Sequence, residues 1–372
     1  MTNRQRLKAV LNYEKYDRMP VVHFGYWDVL LKKWVNEGHI KASEIDNYYD
    51  GSPADKNLGD KLGFDFNYSS TGGGGLSSLF PAFEPKRVKD NPDGSYEYLN
   101  QDGMIVLMRD GAGSIPAEVG HILTDRAAWE EHYLPRLQYS EKRINTETLK
   151  KLAEENDSRT EPLGIYCGSL FGQIRNWLGV EGVSYLYADD EDLYDEIINT
   201  VGELAYIVTE NVLEYGVKYD FAHFWEDICF KNGPLVTPSV FAEKVGPHYR
   251  KITELVNNHG INIVSLDCDG VIDALVPIWL ENGVNTMFPI EVGVWDASIE
   301  PWRKEYGKEL RGVGGVNKHV LSYDKAAVDK EIERIKPQVA LGGFIPCPDH
   351  RLPPDTKWEL VQYYCEKMRE AF

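Results

Sequence analysis

The sequence predicts an α/β protein that folds as a single (β/α)8 barrel of the TIM type, with a β-hairpin insertion between its second and third strands. Eight short apolar runs alternate with longer helical segments along the chain. Most of these runs lack strict polar and apolar alternation, as is typical of parallel strands covered by helices. Eight such alternations in 372 residues favour one barrel over an open, doubly wound sheet.

The predicted strands are apolar runs of the buried type. They are PVVHFG (20–25), FDFNYSS (64–70), LGIYCGS (163–169), YDFAHFWED (219–227), INIVSLD (261–267), VNTMFPIE (284–291), LRGVGGVN (310–317) and VALGGFIP (339–346). Helical patterns separate them, and two of these, over 190–216 and 237–260, end in a glycine. A terminal glycine suits the C-terminus of a helix, after which the next strand follows shortly.

One insertion breaks the alternation. The segment KRVKDNPDGSYEYLNQDGMIVLMRDGAG (86–113) has period-two runs joined by the turn signals NPDG and NQDG. We interpret it as β-hairpins on a side from which they reach the barrel mouth. No repeat or linker divides the chain, so residues 1–372 form one predicted domain.

Composition and charge limit the classes of partner. The formal net charge is −19, and the acidic residues are spread along the chain. This charge disfavours nucleic acid and anionic membrane surfaces as partners. The five cysteines are an odd number without close pair spacing, as in a reduced intracellular protein. The N-terminus has no apolar signal segment and no run reaches the length of a membrane span, so we expect a cytoplasmic protein. The oligomeric state stays open, including a homodimer.

The stretch SLDCDG (265–270) ends an otherwise apolar strand with two carboxylates and a thiol. Charged groups at the end of a buried strand are costly unless water, a metal or a substrate satisfies them. Active sites of (β/α)8 barrels lie at the C-terminal ends of the strands. We therefore expect Asp267 and Asp269 to be catalytic, together with Glu226 after the fourth strand and His350 after the last.

Further candidates lie near the same strand ends or supply aromatic pocket walls. The predicted substrate-binding residues are His23, Tyr26, Trp27, Tyr166, Trp177, Trp225, Glu291 and Asn317. Asp227 doubles the negative charge beside Glu226. Several aromatic side chains would suit a neutral aromatic or apolar molecule.

The SLDCDG stretch also has a structural interpretation. Asp267 and Asp269 could cap the helix predicted over 271–283, because an aspartate at that position accepts free backbone N–H groups. Cys268 is a candidate for a small buried residue. It should point away from its two neighbours, since successive strand residues face opposite sides.

The other candidates have structural alternatives as well. Glu226 and Glu291 could form salt bridges with neighbouring loops. His23 could be a core histidine bonded to the backbone, and His350 could be a surface side chain in a turn. Buried tryptophans pack more often than they bind ligands.

Five blocks of the chain resemble the uroporphyrinogen decarboxylase superfamily, which also contains the cobamide-dependent methyltransferases and O-demethylase components. The blocks are RLKAVLNYEKYDRMPV, WEDICFKNGPLVTPSVFAEKVGPHYRKI, SLDCDG, PIEVGVWDASIEPWRKEYGKELRGVGGVNK and GGFIPCPDHRLPPDTKWELV. They occur in the order and spacing of the family and extend over nearly the whole chain. The resemblance implies the same barrel fold.

The decarboxylase branch of this superfamily holds its substrate carboxylates with arginines just after the first strand. Here that segment is HFGYWD, which contains His23, Tyr26 and Trp27 and no arginine. His350 matches the late histidine of that branch. The missing arginines make a substrate with many carboxylates a poor fit.

The zinc-dependent methyltransferase branch carries a His-x-Cys pair after the fifth strand and a late cysteine. Asp267-x-Asp269 and His350 fill these places here, and Cys347 lies three residues before His350. The resemblance implies a zinc ion held by Asp267, Asp269 and His350, with Cys347 as a substitute ligand. Oxygen and imidazole ligands would make that zinc a hard Lewis acid rather than an activator of thiols. A metal-free site, in which a carboxyl group or His350 supplies a proton, is the competing prediction.

The resemblance favours one function over two others. The first is transfer of a methyl group from a small methylated donor, preferably a methoxylated aromatic, to the cobalt of a partner corrinoid protein that docks at the mouth. The second is decarboxylation of a carboxylated ring, with Arg175 as the nearest candidate for a carboxylate clamp. The third is a non-catalytic barrel that binds a corrinoid or a protein.

Overall fold

A computed structural model describes residues 1–68, 74–109 and 116–372. The strands are β1 (Val22–His23), β2 (Phe66–Asn67), β3 (Lys86–Asp90), β4 (Tyr96–Leu99), β5 (Met104–Met108), β6 (Ala117–His121), β7 (Gly164–Tyr166), β8 (Phe221–Trp225), β9 (Cys229–Phe230), β10 (Gly233–Pro234), β11 (Val264–Asp267), β12 (Thr286–Ile290), β13 (Arg311–Val316) and β14 (Phe344–Pro348). The helices are α1 (Asn3–Leu11), α2 (Asp28–Asn36), α3 (Pro53–Leu62), α4 (Arg126–Ala128), α5 (Thr146–Glu154), α6 (Gly172–Asp189), α7 (Glu191–Leu213), α8 (Pro238–Lys244), α9 (Gly246–Asn258), α10 (Val276–Glu281), α11 (Val292–Trp295), α12 (Ile299–Tyr306), α13 (Lys325–Ala340) and α14 (Trp358–Ala371).

The central feature is a six-stranded parallel sheet in the order β14–β13–β12–β11–β8–β7. β1 and β2 form a separate parallel pair, in which Val22 is paired with Phe66. Within the described residues, no ladder of hydrogen bonds joins this pair to the larger sheet. The segment after β1 lies beside the segment after β14, where the N–H of Leu352 donates to the carbonyl oxygen of Gly25 at 3.1 Å. The chain is thus a mixed α/β protein, and seven of the eight predicted strand runs contain one of the parallel strands. The eighth run, predicted over 339–346, is misplaced, because Val339 and Ala340 end α13 and β14 extends from Phe344 to Pro348.

Two of the predicted helices differ from the observed ones. The pattern over 237–260 forms two helices, α8 and α9, that meet at Val245. Pro247 has no backbone N–H and lies in the first turn of α9, so it starts a helix rather than continuing one. The helix predicted over 271–283 is shorter, because α10 begins only at Val276.

The predicted insertion, 86–113, contains β3, β4 and β5 of an antiparallel sheet in the order β3–β4–β5–β6. The fourth strand, β6, lies beyond the predicted segment. Tyr98 on β4 pairs with Arg87 on one side and Val106 on the other. Residues 110–113 of the predicted hairpin segment lie outside the described part of the chain, as do residues 69–70 of the second predicted strand. Contacts of β5 and β6 with α6 hold this sheet next to the end of β8.

One face of the parallel sheet carries a compact aromatic group. We call it the inner face, because side chains from the β1–β2 pair cover it. Tyr68, just after β2, stacks on Phe221 with ring centroids 5.2 Å apart and lies 4.9 Å from Phe288. Phe24, just after β1, lies 4.5 Å from the same Phe288 ring. These rings fill the space between the strands, so the polar groups gather at the C-terminal strand ends.

None of the helices in the described ranges is both long and apolar enough to cross a membrane.

Candidate active site

Asp267 ends β11 on the inner face of the sheet. It lies two residues after Ser265, whose hydroxyl contacts the His223 ring at 3.2 Å on that face. The parallel register pairs Asp267 with Trp225 at the end of β8 and with Phe288 on β12. Asp267 therefore lies directly above the aromatic group, at the C-terminal mouth of the sheet.

The Asp267 carboxyl group is buried and has no polar partner among the described residues. The residue is 9% exposed, and among the described residues none donates a hydrogen bond to this side chain or forms an ion pair with it. Burial raises the pKa of the Asp267 carboxyl group well above its ordinary value, and the charges of Asp269 and Asp227 raise it further. An unpartnered group of this kind is expensive to keep unless a ligand uses it.

Cys268 points away from the mouth, as the alternation of side chains predicts. Its thiol accepts a hydrogen bond from the backbone N–H of Ile228 at 3.5 Å and is 1% exposed. The glycine that follows is required by the backbone. Gly270 has a φ of +86°, and a Cβ atom there would lie 2.5 Å from the carbonyl oxygen of Cys229.

Asp269 and His350 form an ion pair at the mouth, with 3.2 Å between Nε2 of His350 and Oδ2 of Asp269. The Trp27 ring stacks on the imidazole of His350 with centroids 5.8 Å apart and 16° between the planes. Phe24 contacts the same imidazole at 5.1 Å. The structure thus brings together residues from the ends of β1, β11 and β14.

Two further carboxylates complete the group. Glu291, directly after β12, is 4% exposed and accepts a hydrogen bond from the N–H of Gly270 at 2.6 Å. Burial, followed by the charge of Asp269, raises its pKa to about 7. Burial also raises the pKa of Asp227 after β8, which has a φ of +67°. We call Asp227, Asp267, Asp269 and Glu291 the mouth carboxylates.

The cations around the mouth already have acidic partners. Arg175 contacts Asp227 at 2.8 Å and Glu118 of β6 at 3.8 Å. Arg351 forms an ion pair with Asp50. Lys318 lies 3.2 Å from Asp349. Within the described part of the chain, no cation lies at ion-pair distance from Asp267 or Glu291, so the mouth has a surplus of acidic groups.

The capping alternative for the SLDCDG stretch is wrong. α10 begins at Val276, its N-cap residue is Leu275, and no side chain caps it. Residues 271–275 therefore separate Asp269 from the helix. The two aspartates stay available at the mouth.

Glu226 was predicted to be catalytic, but the structure places its carboxylate elsewhere. It is fully buried and accepts hydrogen bonds from Ser169 Oγ at 3.1 Å, from the N–H groups of residues 170–172, and from the Tyr249 hydroxyl. Gly172 approaches so closely that a Cβ atom would lie 2.3 Å from the Glu226 carbonyl oxygen. Glu226 therefore anchors the start of α6 and has no free lone-pair direction toward the mouth.

The predicted aromatic residues divide into two groups. Trp27 and Tyr166 lie at the mouth and are 39% and 37% exposed, and Trp225 is half-buried there. Trp177 is buried in α6 and packs on Tyr133 at 5.4 Å. Trp177 is thus a packing residue rather than the substrate-binding residue that the sequence predicts.

Tyr26 and His23 also lie away from the mouth. Tyr26 is 1% exposed and packs on Trp34 at 5.8 Å. His23 is 1% exposed, lies 4.8 Å from Phe64, and accepts a hydrogen bond from the N–H of Gly25. His23 borders a separate cavity of about 650 Å³ that none of the mouth carboxylates lines.

Asn317 has a local structural role. Its side-chain oxygen accepts a hydrogen bond from the N–H of His319 at 3.0 Å, and its own N–H donates to Glu331. It thus caps the turn after β13. Sequence reasoning missed Lys318 and Arg351, although each is adjacent to a predicted site residue.

The predicted zinc ligands do not form a preassembled set. Across residues 1–68, 74–109 and 116–372, no three His, Cys, Asp or Glu side chains are grouped so that they could hold a metal ion. Asp269 and His350 supply two ligands, whereas a catalytic zinc has three protein ligands. Cys347 is fully buried, and burial raises its thiol pKa well above the ordinary value, which disfavours the thiolate. The residues as arranged do not fit the predicted site.

Comparison with known proteins places the fold among solved structures. No protein-family model and no curated protein matches this sequence. A methyltransferase from Methanosarcina mazei superposes with a TM-score of 0.63 and 15% identity, over 100% of this chain and 99% of that chain. A B12-independent methionine synthase from Shewanella sp. W3-18-1 gives a TM-score of 0.48 and 9% identity, over 95% of this chain and 98% of that chain. This chain therefore shares the fold of the Methanosarcina protein along its full length.

Proposed function

We propose that this protein is a methyltransferase that moves a methyl group from a small methylated donor to the cobalt of a corrinoid carried by a partner protein. The observation that carries the proposal is the group of four mouth carboxylates at the C-terminal strand ends, two of which have no cationic partner in the described part of the chain. The full-length likeness to a methyltransferase supports it. We infer the corrinoid partner from the resemblance of five sequence blocks to the uroporphyrinogen decarboxylase superfamily.

The mouth carboxylates suit the difficult part of such a transfer, the departure of the heteroatom. A neutral ether, such as the methoxylated aromatic that the sequence favours, needs a proton on its oxygen as the methyl group leaves. Glu291, whose pKa is about 7, holds such a proton at neutral pH in a large fraction of molecules. A donor that already carries a positive charge needs ionised carboxylates instead.

Decarboxylation fits this mouth less well. A carboxylated ring needs free cations to bind it. Arg175, the candidate clamp, is held by Asp227 and Glu118, and Arg351 is held by Asp50. A carboxylate substrate would also meet the charges of the four mouth carboxylates.

We further propose that the β1–β2 pair completes a (β/α)8 barrel with the six-stranded sheet. The support is the backbone hydrogen bond between Leu352 and Gly25, together with the packing of Phe24 and Tyr68 on Phe288. The corrinoid protein would dock at the mouth, formed by the C-terminal ends of the strands. The zinc ion stays a prediction from the sequence, and no step of this mechanism depends on it.

The test is an anaerobic assay with a reduced corrinoid protein and a panel of methylated donors. The panel contains methoxylated aromatics, methanol, methylamines and quaternary ammonium compounds. We expect loss of the Co(I) absorbance and formation of a methylated corrinoid with at least one donor, dependent on this protein. If no donor gives the methylated product, and a carboxylated ring releases carbon dioxide instead, the proposal is wrong.

A further inference from the structure

We propose that the methyl donor is a cation, a methylated ammonium or sulfonium compound, bound between the mouth carboxylates and the rim aromatic residues, which are Trp27, Tyr166 and Trp225. This inference rests on the proposed methyl transfer and selects the class of donor. It differs from the preference for a methoxylated aromatic, which the number of aromatic residues alone suggested.

The first support is a pair of buried acidic groups at the mouth that no cation of the described residues contacts. The Asp267 carboxylate is nine-tenths buried on the inner face and has no partner among the described residues, so it is available to a ligand at the mouth. Among the residues that the structure describes, Glu291 accepts a hydrogen bond only from the N–H of Gly270. Desolvated carboxylates of this kind gain most from a ligand that brings a positive charge.

The second support is the position of the rim aromatic residues relative to Asp267. Trp225 is the register partner of Asp267, and Tyr166 is the partner of His223, two residues before Trp225. Side chains at registered positions of a parallel sheet share a face. Tyr166 and Trp225 therefore project on the inner face beside Asp267. Indole and phenol rings next to carboxylates form a suitable environment for methylated ammonium groups.

The proposed transfer balances without a proton. The carbon–nitrogen bond of the donor breaks, and its electron pair stays on the nitrogen, which leaves as a neutral amine. The Co(I) of the partner corrinoid contributes the electron pair of the new carbon–cobalt bond and becomes Co(III). The mouth carboxylates bind the positive charge of the donor and lose that interaction when the neutral amine forms, which favours release of the product.

The proposal predicts how the affinity for the donor depends on pH. A cation is attracted by an ionised Glu291, so affinity should rise as the pH increases through the pKa of Glu291, about 7, and binding near that pH should release protons. A neutral ether that needs a protonated Glu291 should show the opposite trend. The charged and titratable groups that face the mouth carboxylates are His350, Arg175, Arg351, Lys318 and Tyr166.

Titration calorimetry with the full chain tests the inference, using choline, tetramethylammonium and 3,3-dimethylbutan-1-ol, the neutral carbon analogue of choline. We expect choline to bind at least about tenfold more tightly than the neutral analogue at pH 8. Asp267→Asn and Glu291→Gln should each reduce the affinity for choline about tenfold. Asp157→Asn, which removes an exposed charge paired with Lys218 in the segment before β7, should leave it unchanged.

Equal binding of choline and its neutral analogue, or no binding of any of the three probes, would overturn the inference. Methyl transfer from a methoxylated aromatic but from no cation would overturn it while the proposed function stands. Cation binding without methyl transfer from any donor would refute the proposed function, and with it the donor role of the cation. Circular dichroism of both mouth variants checks that they fold.

Discussion

The imidazole of His350 lies between an acid and an aromatic ring: its Nε2 atom is 3.2 Å from Oδ2 of Asp269, and its ring stacks on Trp27. The two contacts join the segment after β1 to those after β11 and β14. Asp269 and Trp27 are both more than a third exposed, so their contacts with His350 contribute little to stability. Both side chains are accessible to a ligand at the mouth.

Replacing Trp27 tests the aromatic side of the mouth. We expect Trp27→Leu to weaken choline binding by roughly three- to tenfold, because it removes a ring from the cation site. Trp27→Phe keeps an aromatic face and should retain most of the affinity. Calorimetry measures both variants, and equal affinities for the leucine and phenylalanine variants would exclude Trp27 from the site.

The buried Glu226 gives a prediction about stability rather than activity. We expect Glu226→Ala to lower the free energy of unfolding by at least about 3 kcal/mol, because it leaves several buried N–H donors and the Tyr249 hydroxyl without an acceptor. Tyr249→Phe removes only one of these donors and should cost about 1 kcal/mol. Urea denaturation measures both.

If Glu226→Ala keeps the stability of the wild type but shows no methyl transfer, Glu226 has the catalytic role that the sequence predicts.

Glu291 makes stability depend on pH. Its pKa in the folded protein, about 7, lies above the ordinary value of 4.5. Between these values the folded state binds more protons than the unfolded state, so the free energy of unfolding falls as pH rises through this window. Glu291→Gln removes this loss and should be more stable than the wild type at pH 8 by up to about 3 kcal/mol, with no gain at pH 4.

Thermal denaturation between pH 4 and pH 8 measures this effect. Glu14→Gln, which changes an exposed glutamate of the N-terminal segment, is the matched control. A stability difference between Glu291→Gln and the wild type that does not change with pH would contradict the raised pKa.

Metal analysis tests the predicted zinc. Because Asp269 and His350 offer two ligands rather than three, we expect less than about a tenth of an equivalent of zinc in protein purified without chelator. Stoichiometric zinc that is lost in both Asp269→Asn and His350→Ala would show that a third ligand joins the pair. The metal prediction from the sequence would then be correct.

The course of most parallel strands was predictable from the sequence, since runs such as INIVSLD and VNTMFPIE are mainly apolar and end at a carboxylate. The same rule placed Asp267, Asp269, Glu291 and His350 at one end. In the described residues, no ladder of hydrogen bonds closes the predicted barrel, because β1 and β2 are each only two residues long.

The errors at the site come from side-chain direction. A strand end shows where a residue lies but not which face it uses. Glu226 and Asp267 both end buried strands, yet Glu226 lies one residue beyond Trp225 and faces α6 and α9, whereas Asp267 faces the mouth. His23 ends β1 and Trp27 follows it, and they separate in the same way, because His23 is buried away from the mouth and Trp27 is exposed at it. Only tertiary packing distinguishes such pairs.

The most direct test is kcat/KM for Co(I) methylation by the wild type, Asp267→Asn and Asp157→Asn, measured at pH 8 with a quaternary ammonium donor well below its KM. The Asp267 carboxyl group, which has no polar partner among the described residues, is the centre of the proposed mechanism. We predict that Asp267→Asn lowers kcat/KM by up to about tenfold, chiefly through a higher KM, because the attraction to the donor is strongest before its charge is lost, while Asp157→Asn behaves as the wild type. A wild-type kcat/KM in Asp267→Asn, or no methylation by the wild type with any donor, would contradict this mechanism.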